Sequence, residues 1–468
     1  MWPVSGPSFV LRKPPDLADD PPARVGAVFI QHYAQRADRL NKGATMATSN
    51  GWDTRYEFRA VLIMSLAFGL VGLDRFILLP LLPSISKDLG LSYQDGSSLV
   101  SALAVAWGVA AIFAGSLSDH LGRRAVLVPS VVAFSVLSVF SGMAGALTSL
   151  VLIRALMGAS EGAVASTGVA VTVEASHPKR RGMNNGFFQC SISLFGLAVA
   201  PILATQLLEV TTWRNVFYLV GIPGLIVAVF LWKIVKEPSA APTGGSAAAR
   251  APRASFWSMF KHRNIPLSML ALLCAMCGIF VISAMMSSYL VDYLKLPNTE
   301  MGFVSSAIGF GGVLGQFGVL AISDFIGRRP AALISFVVSA IALYFFIQTG
   351  ADSPTMLFIT LFTASLFNFG ALAILAGPIP AEAAPPGLVA SAAGLVIGAG
   401  EIFGGGLAPY IAGGLADAYS LKHALYLAMG GQVVGIVFAL FLHETAPRRA
   451  KTAAHGEVSE LDRLPEAP

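Results

Sequence analysis

The sequence predicts an all-α membrane protein, twelve transmembrane helices arranged as two pseudo-symmetric six-helix bundles. Three observations carry that prediction. The chain of 468 residues is 55% hydrophobic and only 12% charged, with a mean hydropathy of +0.69, and soluble domains carry about twice that charged fraction. Twelve apolar runs each reach the length of about 20 residues that a helix needs to cross the hydrocarbon core. The two halves of the chain also repeat one another in order. The net charge of +5 does not indicate nucleic-acid binding, because the basic residues form short blocks between apolar runs, the pattern that orients membrane helices.

Residues 1–57 differ from the rest. MWPVSGPSFVLRKPPDLADDPPARV is rich in proline and charge and holds no run long enough for a signal-peptide core. It reads as a disordered cytosolic extension, and Met46, opening MATSNGWDTRYEF, reads as the true start. The apolar runs follow at 59–84, 97–117, 124–146, 148–172, 183–207 and 215–235, making a first bundle over 58–236. A Pro-, Gly-, Ser- and Ala-rich stretch at 237–264 reads as a flexible cytosolic linker ending in a short interfacial helix near Phe256–Phe260. The second bundle, 265–444, takes the runs 265–290, 301–323, 330–349, 354–378, 387–413 and 421–442, and 445–468 reads as a cytosolic tail.

Loop charge sets the expected orientation. With both termini inside, the cytosolic loops hold 13 Lys and Arg residues, among them Arg123, Arg124, Lys179, Arg180, Arg328 and Arg329, against four outside, Lys87, Arg214, Lys295 and Lys422. That asymmetry predicts a multi-pass protein of the cytoplasmic (inner) membrane. Cys274 and Cys277 share a C-x-x-C spacing but lie in the apolar run LALLCAMCGIF, so they read as packing residues rather than a redox pair. Histidines without a carboxylate or thiol cluster make a metal site unexpected. With Ser, His and Asp scattered over loops on opposite faces, no enzyme site and no cofactor are expected either.

The repeat is explicit. Asp119-x-x-Gly122-Arg123-Arg124 recurs 205 residues later as Asp324-x-x-Gly327-Arg328-Arg329. Glu174-Ala175-x-x-Pro178 recurs 208 residues later as Glu382-Ala383-x-x-Pro386, and Gly196-x-x-x-Ala200-Pro201 recurs at the same offset as Gly404-x-x-x-Ala408-Pro409. Duplication of a six-helix bundle explains three matches in order.

Ionisable residues inside the apolar runs mark the functional site. A charge at the centre of a membrane helix costs about 2.5–3.5 kcal/mol on insertion scales. Asp74 and Arg75 lie in the first run, Arg154 and Glu161 in the fourth, and Glu401 in the eleventh. Arg154 and Glu161, seven residues apart, share one helix face at a separation of about 10 Å. Asp74 and Arg75 point about 100° apart. The four are expected to pair with one another around a watery cavity. Permanently charged guanidinium groups suit anion binding, whereas carboxyl groups can take up and release protons.

The loop Gly115-Ser-Leu-Ser-Asp119-His-Leu-Gly122-Arg123-Arg124 closely resembles the G-x-x-x-D-x-x-G-R-[RK] signature of the major facilitator superfamily, and the resemblance spans everything after residue 57. In the second copy Leu320 replaces the first glycine. The resemblance implies the family fold and a conformational latch formed by Gly115, Asp119, Gly122, Arg123 and Arg124 with Asp324, Gly327, Arg328 and Arg329, the arginines also meeting anionic lipid heads. Within the superfamily, Asp74-Arg75, the run Arg154-Ala-Leu-Met-Gly158-Ala-Ser-Glu161 and Ser288-Tyr289-Leu290 resemble the anion:cation symporters. Spinster-like lipid carriers share the Asp-Arg pair and the Arg-to-Glu spacing. Glu401 stands where the symporters have Asn.

The expected function is alternating-access, proton-coupled symport of a small organic anion by a monomer. Arg75 and Arg154 would bind the anion, with Glu401, Tyr289 and Gln189 shaping the substrate site, while Asp74 and Glu161 carry protons. Glu401 would meet a substrate hydroxyl or amine, serve as a second proton site, or stay protonated as a cavity-lining acid. A fixed ion-pair network holding the first and fourth helices is the structural alternative for Asp74, Arg75, Arg154 and Glu161. A proton-driven drug exporter, a lipid carrier and a membrane solute sensor are the functional alternatives.

Overall fold

The computed structural model describes residues 52–177, 180–237, 256–385 and 389–446. Twelve long helices run through them. The first six are α1 (Thr54–Leu89), α2 (Tyr93–Leu121), α3 (Arg123–Met143), α4 (Leu147–Ala175), α5 (Arg181–Leu208) and α6 (Trp213–Ile234). The second six are α7 (Asn264–Tyr293), α8 (Asn298–Ile326), α9 (Arg328–Gln348), α10 (Pro354–Ala383), α11 (Ala392–Ala418) and α12 (Leu421–Phe441). Eleven are long and apolar enough to cross a membrane. The twelfth, α2, has 29 residues, about 43 Å at 1.5 Å per residue, and covers the predicted second run.

The expected boundary at residue 57 needs correction. α1 begins at Thr54, because Glu57 is buried rather than part of a solvated arm. Its carboxylate accepts from the Arg180 guanidinium and the Asn184 amide, and that hydrogen bonding pushes the Arg180 pKa further up. A hydropathy boundary excludes such a polar anchor. The linker residues 238–255, the extension to residue 51 and the tail from 447 lie outside the described residues, whereas Phe256–Lys261 forms a short 3-10 helix.

The halves repeat in packing as in sequence. α2 lies along α4 as α8 lies along α10, and α3 packs on α6 as α9 packs on α12. Gly122 and Gly327 have φ of +99° and +103°, a backbone region that L side chains rarely adopt. Each opens the helix that follows. Glu237 accepts from the backbone N–H of Arg123 and Arg124 at 2.7 and 2.8 Å. Glu444 accepts from those of Arg328 and Arg329 at 2.8 and 3.2 Å. These carboxylates satisfy donors that a helix start leaves free, and sit at the positive end of its dipole.

Between the halves, α2 runs along α11 and α5 along α8. A Cβ on Gly309 of α8 would overlap the backbone of Leu197 and Ala198 in α5, so the two helices touch main chain to main chain. At the end away from the arginine-rich loops, Asp417 of α11 accepts from the N–H groups of Tyr93 and Gln94 at 2.9 and 2.8 Å. It thereby caps α2 across the divide. The Tyr93 hydroxyl donates to Asp292 of α7 at 3.3 Å beside it.

Candidate functional site

Arg75 sits mid-helix on α1, where its side chain leaves the first bundle and meets the second. Its Nη2 donates to Glu401 Oε2 of α11 at 3.1 Å, and the two side chains are 4% and 8% exposed. Three aromatic rings surround the guanidinium, with centroids 5.4 Å (Phe76, α1), 5.2 Å (Trp107, α2) and 5.0 Å (Phe280, α7) from Cζ. A cation is attracted to each ring face. The result is a charged pair joining the halves in an otherwise aromatic enclosure.

Asp74 points elsewhere. It is 1% exposed and lies beside Ser138 of α3 and Arg154 of α4. Arg154, also 1% exposed, does not clasp a carboxylate. Its Nη1 donates to the backbone carbonyl of Asp74 at 3.3 Å and its Nη2 to that of Arg75 at 2.6 Å. Glu161 is fully buried on the same helix. None of the carboxyl oxygens of Asp74 and Glu161 has a hydrogen-bond partner among the described residues, nor does Arg154 Nε. The expectation that these four pair with one another is therefore revised. The charge pair is Arg75 with Glu401, and Arg154 ties α4 to the α1 backbone. The 100° step between neighbours on α1 is the cause, since it turns Arg75 outward and Asp74 into its own bundle.

Glu401 owes its position to an irregular helix. α11 widens into a π segment over Gly400–Leu407 and α5 does so over Ser193–Val199, 208 residues apart at Ser193 and Glu401. Each ends just before a proline, Pro201 and Pro409, whose missing N–H leaves the preceding turn without its usual bond. Such widened turns recur at functional sites. α8 has another at Gly315–Val319, where Gln316 donates to Ser193 at 3.3 Å and accepts from Cys190 at 3.2 Å.

The remaining predicted residues are dispersed. Gln189 is exposed. Tyr289 is 1% exposed, stacked on Tyr293 at 5.1 Å and packed near Phe346 of α9, within the second bundle rather than beside Arg75. Gly115 and Asp119 lie on α2, with their side-chain surroundings outside those described. Arg123 donates to Ser118 at 2.7 Å and to Glu174 at 2.7 Å, and Arg328 to Ser323 at 2.6 Å, Asp324 at 2.6 Å and Glu382 at 3.2 Å. These ties run within each half. Cys274 and Cys277 are buried free thiols. Among the described residues no His, Cys, Asp and Glu group could hold a metal ion.

Sequence reasoning missed Phe76, Trp107 and Phe280 as partners of Arg75, and Glu237 and Glu444 as caps. A signal existed for the caps alone, because Glu237 and Glu444 stand 207 residues apart, close to the offset of the duplicated motifs.

The family model of the Major Facilitator Superfamily matches residues 64–319 and, again, 268–465. A probable 4-methylmuconolactone transporter of Cupriavidus pinatubonensis is 30% identical over 72% of this chain and 80% of its own length. The sialic acid transporter NanX of Escherichia coli is 25% identical over 76% and 86%. A probable L-galactonate transporter of Escherichia coli is 30% identical over 45% and 49%. Among solved structures, an inward-facing bacterial homologue of the human lysosomal transporter Spinster superposes with a TM-score of 0.68 at 18% identity, over 82% of this chain and 95% of that one. The chain belongs to the Major Facilitator Superfamily and is a multi-pass membrane transporter.

Proposed function

We propose that this transporter carries a small organic anion together with protons across the cytoplasmic membrane, by alternating access, with its arginine-rich loops in the cytosol. The observation that carries the reading is the buried Arg75–Glu401 pair between the halves. A substrate carboxylate arriving at Arg75 competes with Glu401 for the same guanidinium. Displacing an ionised Glu401 leaves a buried charge unpaired, at a cost of several kcal/mol, about 3–5 by analogy with broken buried pairs. Protonation removes that cost, so anion binding and proton uptake favour one another. Asp74 and Glu161, both buried carboxyl groups, are the further proton carriers in this proposal. Arg154 holds the α1 backbone around Arg75 in place.

The substrate class is supported by relatives named as carriers of a muconolactone, an aldonate and a sialic acid. The conformation fits the same scheme. Asp417 and Tyr93 join the halves at the proposed outer end, while Arg123 and Arg328 pair within their own halves at the proposed inner end. In the opposite state, with the inner end closed, the proposal has Asp119 and Arg123 of the duplicated loop latch the halves. In this proposal Arg124 and Arg329 also meet anionic lipid heads, and one chain suffices for the cycle.

Liposome uptake tests the proposal. An inward proton gradient should drive accumulation of a carboxylate from a panel of sugar and aromatic acids. Equal uptake with the gradient present or collapsed would remove the proton from the reading.

A further inference from the structure

The surroundings of Arg75 limit what kind of anion can settle there. The guanidinium touches three aromatic faces, from Phe76, Trp107 and Phe280 on three different helices. A carboxylate that engages Arg75 must bring the atoms next to it against the same faces. Ring faces stack well on a flat unsaturated body but offer no acceptor of oxygen or nitrogen type to a hydroxyl.

The hydrogen-bonding groups are one-sided as well. Arginine and the indole N–H are donors only, and Trp107 Nε1 is buried without an acceptor. The acceptor that Arg75 engages is Glu401, at 3.1 Å. Once protonated it too supplies a donor. Such a site suits a ligand rich in acceptor oxygens. Each hydroxyl of a sugar acid has a proton to place and would be desolvated here without an acceptor. Beyond Phe76 the next recess is lined chiefly by Leu79, Pro80, Leu197 and Met286, with Ser283, Ser287 and Ser305 its hydroxyls, of which Ser283 and Ser305 lack partners among the described residues.

Resting on the anion-transport reading above, we infer that this site selects flat, conjugated carboxylates poor in hydroxyl groups, namely aromatic and other unsaturated acids, over polyhydroxylated sugar acids. Trp107 acts as a specificity residue in two ways: its ring stacks on the substrate body, and its N–H donates to a second acceptor oxygen. The likeness to a sialic acid carrier does not decide the matter, since aromatic packing around the guanidinium is a property of these particular residues.

Calorimetry on the purified full-length chain tests this, titrating sodium benzoate and sodium cinnamate against sodium gluconate and sodium glucuronate at one pH. The inference expects the flat pair to bind at least about tenfold more tightly, a gap reached by one or two unsatisfied hydroxyls. Trp107→Phe, which keeps a ring and loses the N–H, should weaken cinnamate several-fold and gluconate little. Phe280→Leu should do the same by removing a ring face. Sugar acids binding as tightly as the flat acids would overturn the selectivity and leave anion transport standing. Silence from all four acids, while liposomes still accumulate some other carboxylate under a proton gradient, would also overturn it. Failure of every carboxylate in the liposome assay would instead bring down the transport reading beneath it.

Discussion

Arg75 and Arg154 show how one residue type does two jobs in one bundle. Arg154 spends its donors on main-chain carbonyls of α1, whereas Arg75 faces the Glu401 carboxylate, which the proposed function has a substrate anion replace. Replacing Arg75 with Lys keeps the charge but loses the planar fork. The expected result is a fall of about 10- to 100-fold in kcat/KM for the transported anion, measured by counterflow in liposomes, equivalent to about 1.4–2.7 kcal/mol. Glu161→Gln should retain counterflow, which needs no net proton movement, and lose accumulation driven by a pH gradient; normal gradient-driven uptake would end the coupling role given to Glu161. The residues themselves were legible from sequence, because ionisable groups in apolar runs announce themselves. Their partnerships were not. Arg75 and Glu401 are 326 positions apart, and nothing in either run says which of two adjacent side chains on α1 turns toward the other half.

At the scale of elements, hydropathy located all twelve helices, with α1 longer than its apolar run at both ends. What it missed were features made by polar atoms and missing donors. The π segments of α5 and α11 follow from Pro201 and Pro409, and are duplicated because the prolines are. The caps follow from Glu237 and Glu444, which to a hydropathy scan are merely charged residues outside a span. Loss of an N-terminal cap costs about 0.5–2 kcal/mol. Glu237→Ala and Glu444→Ala should each lower the thermal midpoint of the purified protein by a similar small amount, and the double variant by the sum, since the two sites lie in different halves. Asp417→Ala has a different expected outcome. It removes an acceptor that caps α2 from across the divide, so it should favour opening at that end. A cysteine placed at Ser84, in the recess that Asp417 also lines, should then react faster with a membrane-impermeant maleimide; an unchanged rate would mean that the cap does not hold the halves together.

For the whole molecule, the proposed cycle has the two duplicated bundles move against each other, and the Arg75–Glu401 pair lies between them. Small residues at the crossing of α5 and α8 let those bodies touch closely, and polar ties at one end hold them in the described state. The pseudo-symmetry was readable from three motif offsets because it is written in loops and glycines. The asymmetry on which the proposed function rests, an arginine on one side and its acid on the other, lies outside the repeat. Glu401 corresponds by offset to Ser193, not to another acid.

The most direct measurement is uptake of a radiolabelled carboxylate into liposomes by the wild-type chain and by Glu401→Gln, each with and without an inward proton gradient. The account predicts that the wild type accumulates the anion only with the gradient. The variant, in which no ionised acid competes for Arg75, should bind and exchange the anion while its accumulation loses much of that dependence. Undiminished gradient dependence in Glu401→Gln, or wild-type accumulation indifferent to the gradient, would contradict it.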